Sequence, residues 1–225
     1  MSINIYSIPL GVDRVHIIRG EKTIIIDGGM AGQAKKFAKA IEKLSIKPED
    51  IVLIVLTHGH WDHVGSAKDI KDLTGARIAL HQEEKDWLEK SLTPLPPAVT
   101  AWGKIVFKIM KMCESSLKFP AAKVDIVLGN QEMSLTEYGI PGKIIYTPGH
   151  SKGSVSVLLE TGEAFVGDLA MSGPPLRLSP KLPIFADDLK QVRESLKMLI
   201  DAGAKTIYPA HGKSFSVDAI KKVLR

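Results

Sequence analysis

Residues 58–63, HGHWDH, place three of the chain's seven histidines and one aspartate within six positions, one residue after the apolar run IVLIVL. Imidazole nitrogens and carboxylate oxygens are the donors that zinc and other borderline divalent cations accept, in sets of three or four. His58, His60, Asp62 and His63 are four such donors, so one ion is served and two come within reach. Three more recur at equivalent places, each closing an apolar run beside glycine: His150 in IIYTPGHS, Asp168 in AFVGDLA and His211 in IYPAHG. A lone histidine after a strand is an ordinary structural residue. Five of seven in that setting point to convergence on metal.

The elements that must position these donors can be read from hydrophobic pattern. RVHIIRG, TIIIDGG, DIVLIVLTH and ARIALHQ are β-branched runs bounded by turn residues, which reads as strands. AGQAKKFAKAIEKL sets Phe37, Ile41 and Leu44 on one face at helical spacing, a surface helix over a sheet. The second half repeats the theme with VDIVLG, GKIIYTPGH, SVSVLLET and EAFVGDLA, a helix over 186–202, the strand KTIYPAHG and a last helix. A strand ending at Leu56 delivers His58 and His60 into a loop, and Asp62 and His63 open the next helix. Two strand-rich layers covered by helices are predicted, α/β in class.

Composition narrows the setting. With 225 residues, 44% hydrophobic and 24% charged, the chain is predicted to be a single globular domain over 1–225. No repeat, low-complexity tract or charge-rich linker interrupts it. The N-terminus lacks a basic stretch followed by an apolar one, so a cytoplasmic location is the expectation. The single cysteine, Cys113, forms no internal disulfide and reads as a small apolar filler, leaving any metal to histidines and carboxylates. Net charge is +5, but the lysines are spread along amphipathic segments, which argues against a nucleic-acid partner. A small-molecule substrate fits better, and a homo-oligomer stays open.

The HxHxDH cluster at His58–His63, the strand-end Asp27 in IIIDGG, and His150, Asp168 and His211 in that order make the chain resemble the metallo-β-lactamase superfamily. The resemblance runs from about Thr23 to Gly212. It implies a four-layer αββα sandwich of two mixed β-sheets flanked by helices, with a dinuclear centre at its edge. His58, His60 and His150 would hold one metal, Asp62, His63 and His211 the second, and Asp168 would bridge them. Asp27 would orient the site. Two divalent ions, Zn2+ first with Fe or Mn as alternatives, would share a bridging hydroxide, and Asp62 and Asp168 would be the catalytic carboxylates.

Within the superfamily, His60 departs from the HxExDH pattern of flavodiiron proteins. Asp168 departs from the true β-lactamases, which lack that aspartate. Neither the substrate-binding arm of transfer-RNA-processing nucleases nor the long insertion of beta-CASP nucleases is visible. The glyoxalase II-like and lactonase-like branches remain, implying cleavage of an ester, thioester or lactone. A mononuclear-iron persulfide dioxygenase and a phosphodiesterase or nuclease are the alternatives.

One segment breaks the pattern. Residues 91–120 carry prolines at both ends and an apolar middle with Trp102, Ile105, Val106, Phe107, Ile109 and Met110, while Lys104, Lys108 and Lys111 share one face. A lid over the metal centre favouring an apolar acyl group is one reading, and a core element or dimer contact the other. It is too short and too charged to span a bilayer, though a membrane-surface role is open. Arg177 and Lys181, in the loop after Asp168, are candidates for an anionic substrate group or plain solvated charges. Tyr208 is a candidate pocket residue, and His16 and His81 read as ordinary histidines.

Overall fold

The computed structural model describes residues 3–224. Its first sheet contains β1 (Asn4–Pro9), β2 (Arg14–Arg19), β3 (Thr23–Ile26), β4 (Ile51–Val55), β5 (Arg77–His81) and β6 (Ile126–Leu128), side by side in chain order. The first three strands form an antiparallel meander, and β3 to β6 run parallel. Parallel neighbours need crossovers, supplied by α1 (Ala34–Lys43), then α2 (Trp61–Val64) and α3 (Ala67–Thr74), then α4 (Lys85–Glu89) and α5 (Ala101–Met112).

The second sheet holds β7 (Met133–Ser134), β8 (Gly142–Tyr146), β9 (Val155–Leu159), β10 (Glu163–Gly167), β11 (Thr206–Pro209) and β12 (Phe215–Ser216), ordered β12-β11-β10-β9-β8-β7. Here β10 and β11 are parallel and the other neighbours antiparallel, and α6 (Leu189–Asp201) crosses between β10 and β11; α7 (Val217–Leu224) follows β12.

Period-two alternation sorts the side chains into layers. In β3, Ile24 and Ile26 point between the sheets and meet Val157 and Phe165, while Ile25 points outward to the group containing Phe37 and Ile41 of α1 and Ile70 of α3. On the far side, Leu158, Val166 and Ile207 meet Val192, Leu196 and Leu199 of α6 and Ile220 of α7. Strands buried on both faces read as continuous apolar runs because each alternate residue has its own layer to fill. The result is the four-layer αββα sandwich.

The structure departs from expectation in several places. VDIVLG belongs to the first sheet, where Leu80 and His81 pair with Val127 and Leu128. The helix expected from 186 starts at Leu189, because the Asp188 carboxylate caps it, accepting the Lys190 and Gln191 amides at 2.8 and 3.1 Å. Strand β4 ends at Val55, one residue earlier than predicted. Cys113 is exposed, so it fills no core. Among the described residues no helix is long and apolar enough to cross a membrane.

Candidate metal centre

Every candidate donor follows the C-terminal end of a strand: His58, His60, Asp62 and His63 after β4, His150 after β8, Asp168 after β10 and His211 after β11. Asp62 and His63 lie on the short helix α2, as expected. The turns are tight: Gly167 has φ +51°, and a Cβ there would stand 2.5 Å from Thr57 Oγ1. Glycine is thus required for the backbone before Asp168 to approach the β4 loop.

All seven side chains converge. His58, His60 and His150 form one set of donors, Asp62, His63 and His211 another, and His58, His63 and Asp168 a third, with donor atoms within 4.8 Å of one another in each. Asp168 faces both sides, its Oδ2 3.7 Å from His150 Nε2 and its Oδ1 3.3 Å from His211 Nε2 and 3.5 Å from His63 Nε2.

Hydrogen bonds on the outer nitrogens decide which lone pairs turn inward. His150 Nδ1 donates to Phe185 O at 2.9 Å, and His211 Nδ1 to Val12 O at 3.1 Å. His63 Nδ1 lies 3.0 Å from Asp27 Oδ2. The Thr57 hydroxyl donates to Asp27 and accepts from His58 Nδ1 at 3.1 Å. Asp27 sits at φ +65°, a left-handed conformation that aims its carboxylate at Thr57 and His63 together. His58 Nε2, His63 Nε2 and Asp168 Oδ1 are buried without a hydrogen-bond partner among the described residues. Buried polar atoms are nearly always paired, and orphaned nitrogens and oxygens turned to one point are the donor set a divalent cation takes.

Charge divides the cluster in two. Burial, joined by the neighbouring histidines, holds His58 well below its ordinary pKa, and burial and His150 bring His60 down to about 3. His150 is lowered by burial as well. Burial acts the same way on His63, yet Asp27, Asp62 and Asp168 overcome it and carry this histidine up to about 10. Against burial, Asp168 and Asp62 raise His211, and His211 and His63 hold Asp168 well below the carboxylate range. Protons thus gather on the Asp62, His63 and His211 side, where a cation would otherwise neutralise the two carboxylates.

Three residues of the site escaped the sequence reading. Glu84, fully buried, accepts from the Gly153 amide at 2.8 Å and from the Gly59 amide, tying the His58–His60 loop to the His150 loop. A Cβ on either glycine would crowd this carboxylate. Asp13 is buried with both oxygens unpartnered among the described residues, and burial lifts its pKa to about 8 despite His63. Trp87 stacks on His60 at 5.7 Å. None sits in a recognisable motif; HQEEKDW shows two adjacent glutamates with nothing to mark Glu84 as the one turned inward.

Over the donors lies a cavity of about 330 Å³. Its floor is His60, Asp62, His150, Asp168 and His211; Trp102, Val106, Ile109 and Met110 of α5 form one wall, and Met171, Pro175, Leu176 and Phe185 another. Trp102 Nε1 donates to Pro175 O at 3.2 Å, joining the two walls. Within 91–120, then, Trp102, Ile109 and Met110 face the cavity, Phe107 packs with Ile184 and Phe185, and Ile105 lies outside.

Among the described residues no lysine or arginine lines this cavity. Arg177 instead braces its own loop, donating to Leu182 O at 3.0 Å and Pro183 O at 3.1 Å, and Lys181 is exposed. Tyr208 is not a pocket residue; it packs against Phe165 at 4.8 Å and His16 at 5.7 Å between the sheets. His16 is a core histidine, its Nε2 3.2 Å from Pro209 O and its Nδ1 2.8 Å from Ser7 Oγ. His81 is likewise buried, 3.0 Å from Asn130 and stacked on Tyr146.

Residues 14–211 match the family model described as the metallo-beta-lactamase superfamily. Metallo-beta-lactamase fold-containing protein ST1585 of Sulfurisphaera tokodaii is 30% identical, covering 98% of this chain and 83% of its own. Hydroxyacylglutathione hydrolase GloC of Haemophilus influenzae is 29% identical over 66% of this chain and 61% of its own. Among solved structures, TTHA1623 in a di-iron-bound form superposes with a TM-score of 0.69 at 22% identity, covering 95% of this chain and 96% of that one.

Proposed function

The chain belongs to the metallo-beta-lactamase superfamily, and on that premise we propose that it is a metal-dependent hydrolase of an ester, thioester or lactone carrying an apolar acyl part. In this reading His58, His60 and His150 would hold one divalent ion and Asp62, His63 and His211 a second, with Asp168 a donor to both. The observation that carries it is the placing of Asp168, whose two oxygens face His150 on one side and His211 and His63 on the other. A related fold described in a di-iron-bound form supports room for two ions. When bound, such ions lower the pKa of water and stabilise negative charge on the attacked and departing atoms.

The chain's own residues account for the rest. Asp27 and Thr57 hold His63 and His58 in the tautomers that present Nε2 inward. Asp62, partly exposed at the cavity floor, is the carboxylate best placed to pass a proton to a leaving group. The apolar walls bind an acyl chain and exclude bulk water. The absence of lysine and arginine from the lining among the described residues disfavours phosphodiesters and the charged carboxylates of a glutathione conjugate, which need charge-assisted partners. GloC, a hydroxyacylglutathione hydrolase by name, supports the thioester chemistry and not that leaving group.

Metal analysis of the purified protein with a screen of acyl thioesters, lactones and phosphodiesters tests the proposal. About two divalent ions per chain, with hydrolysis of an acyl ester or lactone abolished by His58→Ala, is the expected result. One iron per chain with oxygen consumption on a persulfide would replace the reading with that of a dioxygenase.

A further inference from the structure

The wall that α5 contributes to the cavity has an outer side. Along this helix Val106, Phe107 and Met110 turn inward and Ile109 borders the cavity, while Ile105 and Met112, two turns apart on one face, stand 52% and 84% exposed. Leu178, in the loop that meets α5 through Trp102 and Pro175, is 94% exposed. Ile105 and Met112 continue outward from Ile109 at the cavity border as an apolar stripe, and exposed apolar patches of this kind mark interaction surfaces. Lys104, Lys108 and Lys111 run along the flank of the same helix and are exposed.

Charge identifies what covers this patch. Residues 91–120 and 171–183 hold Lys104, Lys108, Lys111, Lys118, Arg177 and Lys181 against Glu114 alone, six basic groups and one acidic. That excess equals the +5 of the entire chain, so the remainder is balanced. A second copy meeting this face would oppose like charges. Nucleic acid would leave Ile105, Met112 and Leu178 against a polar backbone. An apolar stripe edged by lysines suits the boundary of an anionic lipid layer, where methyl groups enter the acyl region and ammonium groups meet phosphate.

We propose that the outer face of α5 and the adjoining 171–183 loop dock on an anionic lipid surface, setting the cavity mouth against the layer from which an apolar acyl substrate enters. Docking stands on the exposed residues alone; only the passage of substrate rests on the hydrolase reading. The α5 segment thereby serves two environments, its inner side the substrate chain and its outer side the lipid.

The test is co-sedimentation of the full chain with vesicles of phosphatidylcholine alone and of phosphatidylcholine mixed with phosphatidylglycerol, without substrate. Binding to the mixed vesicles only, weakening as salt is raised, is expected. Lys104→Gln, Lys108→Gln and Lys111→Gln together should lower the affinity about a hundredfold, at about fivefold for each lysine. Ile105→Ser with Met112→Ser should reduce it at unchanged thermal stability, since both residues are exposed. No binding to the mixed vesicles overturns the proposal, as does equal binding to both kinds of vesicle. A solution dimer that Ile105→Ser and Met112→Ser dissociate, without vesicle binding, assigns the face to a second copy instead. Vesicle binding in a protein inactive on every acyl ester would leave docking standing and remove the hydrolase reading.

Discussion

Glu84 Oε1 accepts the backbone N–H of Gly153 at 2.8 Å, and its Oε2 accepts that of Gly59. One buried carboxylate therefore spans the loop after β4 and the loop after β8, which carry His58, His60 and His150. Its pKa is raised by burial, although the hydrogen bonds it accepts work in the opposite direction.

Glu84→Ala leaves two buried amides without acceptors, each costing about 1–3 kcal/mol. Thermal unfolding is expected to fall by roughly 5–10 °C, and bound metal to fall with it, as the His150 loop loses its tie. Glu84→Gln keeps one acceptor and should lie between. A variant with unchanged metal content and unfolding temperature would show the bridge to be idle.

Asp27 acts through His63. Asp27→Asn keeps the volume but removes the charge that holds the Nδ1 proton, freeing the ring to turn its lone pair outward. Metal affinity is expected to drop about 10–100-fold with little change in the fold. Titration with a competing chelator measures it.

Asp13 is a liability of the metal-free protein. Its folded pKa of about 8 stands above the 3.8 of an unperturbed aspartate, so the folded state keeps a proton that the unfolded state releases. Stability is therefore fully present below pH 4 and lost progressively toward pH 8. Asp13→Asn does not titrate, and after chelation it should gain on the parent by roughly 10 °C between pH 5 and pH 8. A difference that does not change with pH would sink this account.

Trp102 and Ile109 shape the cavity wall. Trp102→Ala with Ile109→Ala should raise KM for long-chain acyl esters more than for acetyl esters, by about tenfold or more for the pair, since burying such side chains against ligand is worth about 1.5–3 kcal/mol each. An unchanged chain-length preference would show the wall to be structural only.

Much of the fold was legible because its strands announce themselves. Ile24, Ile25 and Ile26 are all apolar since the two faces of β3 are both buried, and a run of that kind between turn residues has few alternatives. The edge strand Ile126–Leu128 was placed in the wrong half because three residues carry no record of which partner they pair with. Cys113 and Tyr208 were misread for a related reason: residue type indicates what a side chain tolerates, and position decides what it meets.

By itself the sequence determined the candidate donors. Donors of the right type at the ends of apolar runs, His58, His60, Asp62, His63, His150, Asp168 and His211, can be counted without coordinates, because ligand chemistry belongs to side chains and strand ends to local pattern. The tertiary structure decided what holds those donors in register and what surrounds them. Asp27 to His63 spans 36 positions, Glu84 to Gly153 spans 69 and Val12 to His211 spans 199, and no local pattern encodes such pairings. The cavity wall, with an inner and an outer apolar side on one helix, likewise exists only once α5 lies across the sheet ends, since burial is a property of the packed chain.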